Sequence, residues 1–128
     1  MDKEIITTLK APKPLGPYSQ AVKVGNLVFV SGQVPIDPTK SAPVSGDIKE
    51  KTKRVIENIK SVLEGAGLTL DHVVKTTIFL RNMADFSKMN DVYATYFKTK
   101  PPARTTVQAG DLPTGMDIEI DAIAYKTE

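Results

Sequence analysis

The sequence predicts an α+β domain in which two helices pack on one face of a mixed β-sheet. Two stretches place apolar residues at helical spacing, and several others alternate with a period of two. The predicted order is strand, hairpin, helix, strand, helix, strand, strand, which favours this class. With 128 residues, 41% hydrophobic and 25% charged, the chain is predicted to form a single domain over residues 1–128.

The N-terminal part predicts three strands. Ile5 to Leu9 is a short β-rich run, and residues 11–17, with three prolines and a glycine, predict an irregular loop. Ser19 to Val24 and Leu27 to Ser31 predict a hairpin, because Gly25-Asn26 suits the positive φ of a two-residue turn. The third strand is apolar on both faces, so both of its sides must be covered.

A long loop leads into the first helix. Residues 34–46 hold three prolines and predict irregular structure. Asp47 predicts an N-cap with Glu50 in capping-box position, and the helix is expected to end near Glu64. Its predicted buried face is Ile48, Val55, Ile56, Ile59, Val62 and Leu63.

A strand and a second helix follow. Val73 to Leu80 predicts a strand with Val74, Ile78 and Leu80 on its core face. A helix is predicted from about Asp85 to Lys98, and two prolines at 101 and 102 prevent its continuation.

The last stretch combines an arginine and a glutamate. Glu119 lies in an alternating strand whose core face is predicted to be Ile118, Ile120, Ala122 and Ala124. If this strand pairs with the segment carrying Arg104, both side chains project from one side of the sheet. A guanidinium suits a substrate carboxylate, and a glutamate can activate a water. The alternative is a surface ion pair.

The other sheet face carries Phe29, Phe79 and Ile123 among polar residues. Such a face on a small domain predicts an oligomer interface, with any site on it lying between subunits.

Composition excludes several classes of function. There are no cysteines, so neither a disulfide framework nor a thiol nucleophile is available. No apolar run is long enough for a transmembrane helix, and the acidic N-terminus argues against a secretory signal, so a cytoplasmic location is expected. A net charge of +2 does not predict nucleic-acid binding.

Four motifs, in register over essentially the whole chain, resemble the RidA/YjgF family, also called the endoribonuclease L-PSP or translation-inhibitor family. They are Gly16-Pro17-Tyr18-Ser19-Gln20-Ala21, Val30-Ser31-Gly32-Gln33, Pro102-Ala103-Arg104 and Ile118-Glu119-Ile120.

The resemblance implies a homotrimer with a chorismate-mutase-like fold and sites between subunits. It implies a cofactor-independent and metal-independent hydrolase that converts 2-iminobutanoate and 2-iminopropanoate to 2-oxo acids and ammonia. Such activity would protect against reactive intermediates of pyridoxal-phosphate enzymes.

The resemblance also assigns roles to the first three site residues. Arg104 would bind the substrate carboxylate, and Glu119 would position the attacking water. Tyr18 would border the cleft, with packing under the proline loop as the alternative.

Four further residues are implied to contact the substrate. The Gly32 amide and Ser31 would lie at the strand end, where a simple bend or bulge is the alternative. Thr106, where bacterial members carry cysteine, would act through its backbone carbonyl. Asn90 would line the cleft, or else be a surface amide of the second helix.

The sequence leaves two other functions to compare with hydrolysis, namely ligand sensing and RNA cleavage. The same cleft could serve a non-catalytic module that senses small 2-oxo or amino acids through a protein partner. RNA cleavage is disfavoured, because the sequence has one histidine and no basic stripe with interleaved aromatics. That histidine, His72, is predicted to be a surface or capping residue rather than a metal ligand.

Overall fold

The computed structural model describes residues 2–127 as a six-stranded sheet with two helices on one face. The predicted α+β fold is therefore confirmed. The strands are β1 (Lys3–Ile6), β2 (Ala21–Val24), β3 (Leu27–Gln33), β4 (Ile36–Asp37), β5 (Ala42–Pro43), β6 (Val73–Leu80), β7 (Ala103–Gln108) and β8 (Ile118–Tyr125), and the helices are α1 (Ile48–Gly65) and α2 (Phe86–Tyr96).

The strand order in the sheet is β1-β2-β3-β8-β6-β7. Neighbouring strands are antiparallel except β6 and β7, which run parallel and are connected through α2. The sheet is thus mixed, as predicted. The hairpin between β2 and β3 turns at Gly25-Asn26, and Gly25 has a φ of 58°.

The core lies between the helices and the sheet. Every residue of the predicted α1 face is buried, as is the predicted core face of β8. The Asp47 carboxylate caps α1 by accepting from the amides of Lys49 at 3.0 Å and Glu50 at 3.2 Å. A periodic apolar pattern over a long element therefore predicted the core correctly.

Several predicted boundaries differ from the observed ones. The first strand ends at Ile6, and Leu9 is 86% exposed. The predicted loop 34–46 contains the small β4–β5 hairpin. Helix α2 begins at Phe86 because the preceding residues, Met83–Asp85, form a 3₁₀ turn capped by Asn82.

The prediction that Val74 faces the core is wrong. Val73 pairs with Ala124 and Lys75 with Ile123, so Val74 is an extra residue in a β-bulge. The bulge shifts the alternation, and Val74 is 47% exposed. Thr76 takes the buried position.

The proposed pairing of the Arg104 and Glu119 segments is also wrong. Strand β6 lies between β7 and β8, so the two strands do not touch edge to edge. Arg104 is opposite Thr76 on one side of β6, and Glu119 is opposite Phe79 on the other. Thr76 is buried under the helices, whereas Phe79 projects from the other face of the sheet.

The face of the sheet away from the helices is partly apolar. Its exposed side chains include Ile5, Leu27, Phe29, Val107 and Tyr125. Among residues 2–127, no helix combines the length and apolar character that crossing a membrane requires.

Candidate active site

A cleft of about 290 Å³ opens beside the end of β3. Its volume is near the lower end of the range for ligand pockets, which begins at about 300 Å³. Four of the predicted site residues meet here, and three apolar residues complete the wall. The lining residues are Leu15, Tyr18, Ser31, Gly32, Val34, Pro113 and Glu119.

Gly32 lies in a bulge that brings the β3 backbone against Glu119. Val30 pairs with Ala122 and Gln33 with Ile120, so two residues of β3 oppose Asp121 alone. A Cβ atom at position 32 would lie 2.8 Å from Glu119 Cδ. A side chain at position 32 would therefore have to displace the Glu119 carboxylate. The bulge, which was the alternative interpretation of this strand end, is present.

The Glu119 carboxylate lines the cleft. The residue is half-buried, and no hydrogen bond within residues 2–127 engages its carboxylate. Burial raises the pKa of Glu119, and the nearby negative charge of Asp121 raises this pKa further. A carboxylate with a raised pKa is a stronger base than free glutamate once it is ionised.

The hydroxyl groups of the cleft have structural partners. Tyr18 Oη accepts from the amide of Leu15 at 3.1 Å, and Ser31 Oγ donates to the carbonyl of Ser19 at 2.6 Å. The Tyr18 hydroxyl proton remains free to be donated to a ligand, whereas the Ser31 proton is engaged.

Arg104 lies on the opposite face of the sheet, under α2. Its guanidinium carbon is 4.9 Å from the centroid of the Tyr93 ring and 5.5 Å from that of Phe86. Both rings attract the guanidinium, and its N–H groups remain able to bind an anion. The ion pairs found among residues 2–127 join Lys49 to Asp91 and Lys51 to Asp117. Neither includes Arg104, so its charge has no carboxylate partner in the described chain.

Two polar atoms near Arg104 are buried without a hydrogen-bond partner within the described residues, namely Asn90 Oδ1 and Thr106 Oγ1. Thr106 shares the face of Arg104 on β7, and Asn90 lies one turn from Phe86 on α2. Buried polar groups without partners are costly, and they often mark places where a ligand or a neighbouring molecule completes the bonds. We call Arg104, Thr106 and Asn90, with the two rings, the arginine platform.

The predicted site residues therefore form two groups. The cleft contains Tyr18, Ser31, Gly32 and Glu119, and the arginine platform contains Arg104, Thr106 and Asn90. Because the groups lie on opposite faces of the sheet, one chain cannot present both to a small ligand.

Sequence reasoning missed part of the surroundings. Leu15, Val34 and Pro113 line the cleft but belong to loops without periodic patterns. Phe86 and Tyr93 lie seven residues apart on α2, on either side of Asn90, and this spacing was the available signal for a platform.

His72 has the predicted capping role. Its Nδ1 accepts from the amide of Thr69 at 3.0 Å, which closes a capping box. The described residues contain no cluster of side chains able to hold a metal ion.

The chain is similar to known proteins over nearly its whole length. The family model described as endoribonuclease L-PSP matches residues 8–126. A RutC family protein of Pyrococcus abyssi is 60% identical, over 98% of this chain and 99% of its own. The human protein named 2-iminobutanoate/2-iminopropanoate deaminase is 43% identical, over 97% of this chain and 90% of its own.

Solved structures agree with these sequence matches. RidA of an Antarctic Psychrobacter has a TM-score of 0.93 and 42% identity, over 96% of this chain and 99% of that chain. Escherichia coli TdcF with bound serine has a TM-score of 0.92 and 35% identity, over 97% of this chain and 99% of that chain.

Proposed function

The chain belongs to the RidA/YjgF family, and we propose that it hydrolyses 2-imino acids such as 2-iminobutanoate and 2-iminopropanoate to 2-oxo acids and ammonia. The observation that carries the proposal is the Glu119 carboxylate, unpartnered within residues 2–127 and held against the Gly32 backbone in a small cleft. The name of the human relative, and of the mouse relative at 43% identity, supports the same chemistry.

The proposed active site lies between two subunits of a homotrimer. The cleft of one subunit would face the arginine platform of its neighbour. Two observations support this arrangement: the two groups lie on opposite faces of one chain, and the outer sheet face exposes apolar side chains such as Phe29 and Val107. A closed ring with head-to-tail contacts brings unlike surfaces together in this way.

In the proposed reaction, Arg104 binds the substrate carboxylate through two hydrogen bonds, and the Gly32 amide assists. Glu119 takes a proton from water as the oxygen attacks C2 of the protonated imine, which forms a carbinolamine. The proton then passes to the amino nitrogen, the C–N bond breaks and ammonia leaves. Loss of the hydroxyl proton forms the 2-oxo acid. Imine hydrolysis needs little more than such positioning and proton transfer.

The pH dependence of the reaction tests the role of Glu119. Activity is expected to fall as the pH is lowered, because the protonated carboxyl cannot accept a proton from water. Since burial and Asp121 raise the pKa of Glu119, this acid limb should lie above the ordinary value of 4.5. Asp121→Asn should move the limb to lower pH, and Glu119→Gln should be inactive at every pH.

The assay generates 2-iminobutanoate in situ and traps the remaining imine with semicarbazide. Removal of imine by the wild type over the background rate supports the proposal. A Glu119→Gln variant with the wild-type rate would contradict the assignment of the base.

Gly32→Ala is expected to lower kcat/KM by about 100-fold, the scale for losing one preorganised group. The new Cβ would displace the Glu119 carboxylate and disturb the Gly32 amide. Gly110→Ala is the matched control, because a Cβ there meets no atom within 4 Å. Equal activity of the two variants would show that the Gly32–Glu119 contact is unimportant for the reaction.

The second candidate is a module that binds small 2-oxo or amino acids without turnover. Its support is the bound serine of TdcF, a relative with 35% identity. If the protein binds 2-oxobutanoate but does not accelerate the hydrolysis of several imino acids, ligand binding without turnover is favoured over hydrolysis.

A further inference from the structure

A buried glutamine outside the proposed catalytic set connects the two walls of the cleft. Gln20 is 3% exposed. Its Oε1 accepts from the amide of Thr8 at 2.7 Å. Its Nε2 lies within hydrogen-bonding distance of the carbonyls of Thr8 at 3.0 Å, Ala11 at 3.3 Å and Pro12 at 2.9 Å. One side chain thus fixes the segment from residue 8 to residue 12.

The main chain around Gln20 fixes the opposite wall. The carbonyl of Gln20 accepts from the amide of Ser31 at 2.9 Å. The carbonyl of Ser19 accepts from Ser31 Oγ at 2.6 Å. Ser31 directly precedes Gly32, whose backbone packs against Glu119. The same short segment therefore binds both the strand end and the proline loop.

The loop that Gln20 holds supplies Leu15 and Tyr18 to the cleft. Its other hydrogen bonds within the described chain are local. The amide of Tyr18 donates to Gly16, and the amide of Leu15 donates to Tyr18 Oη. The Gln20 amide is consequently the main polar connection between this loop and the body of the domain.

We propose that Gln20 is a positioning residue, which holds the Leu15–Tyr18 wall at a fixed distance from Gly32 and Glu119. Its relevance to turnover rests on the proposed imine hydrolysis. A closed wall limits the access of water to Glu119, so the residue controls the environment of the base without touching the substrate.

Gln20→Met tests this inference, because methionine nearly conserves volume but removes every amide hydrogen bond. The matched control is Thr52→Val. Thr52 is fully buried on α1 and donates to the carbonyl of Ile48 at 2.7 Å, so the control also loses a buried hydrogen bond. Gln20→Asn keeps a neutral amide but is one methylene too short to make the same bonds to residues 8–12, and it is used if Gln20→Met does not fold.

Three measurements are made on each variant. Trypsin cleavage at Lys10–Ala11 reports release of the loop. Cleavage should be about tenfold faster in Gln20→Met, which corresponds to a free energy of loop opening lowered by about 1.4 kcal/mol. Titration of the Glu119 carboxyl by ¹³C NMR should show a lower pKa, because more water reaches the group. The kcat should fall about tenfold with a smaller change in KM. Thr52→Val should show none of these changes.

The outcomes separate the inference from the proposed function. Unchanged trypsin cleavage, or an unchanged Glu119 titration, in Gln20→Met would overturn the positioning role. So would a kcat equal to that of the wild type. A wild type without activity would overturn imine hydrolysis alone, while faster cleavage with a shifted Glu119 titration would still support the role of Gln20 in the cleft.

Discussion

Arg104→Ala is expected to reduce kcat/KM for 2-iminobutanoate about 1000-fold. Two charge-assisted hydrogen bonds to the substrate carboxylate contribute about 1.5–3 kcal/mol each, and the variant loses both. Neither ion pair among residues 2–127 engages Arg104, so its guanidinium remains available to the substrate carboxylate. The semicarbazide assay measures the loss directly.

Arg104→Lys is the control that separates charge from geometry. Lysine keeps the positive charge but not the planar fork that lies over Tyr93 and Phe86. It should therefore recover only part of the activity. The free energy of unfolding should change by only about 1 kcal/mol in Arg104→Ala, the scale of a partly exposed cation–π contact. Full activity of Arg104→Ala would contradict the proposal that Arg104 binds the substrate carboxylate.

Local patterns predicted the core because each depends on one element. The apolar face of α1 and the alternation of β8 are both observed as predicted. The prediction that Val74 faces the core was wrong because a single extra residue in β6 reverses the alternation. The cause of the bulge lies in the pairing of β6 with β8 rather than in the sequence of β6.

The arrangement of the site depends on strand order, which alternation does not reveal. The succession β6, α2, β7 is a signal for parallel pairing through a crossover helix. Used as such, it would have placed the strand of Arg104 beside β6 rather than beside β8. The motifs identified which residues come together in the cleft, but only the sheet order shows that Arg104 belongs to the other face.

Mixing two inactive variants is expected to restore activity, because the proposed site takes Arg104 from one subunit and Glu119 from another. Arg104→Ala retains an intact cleft, and Glu119→Gln retains an intact arginine platform. In equal mixtures refolded together, about one contact in four combines the two intact halves, so about a quarter of wild-type activity should return. Each variant refolded alone should remain near background.

The control mixture combines Glu119→Gln with Gly32→Ala, since both changes damage the cleft. No contact in that mixture can contain an intact cleft, so its activity should equal the mean of the two separate variants. If both mixtures behave alike, the two halves do not meet across subunits. Since Arg104 and Glu119 lie on opposite faces of one chain, that result would leave the cleft without its anion-binding partner and would favour ligand sensing over hydrolysis.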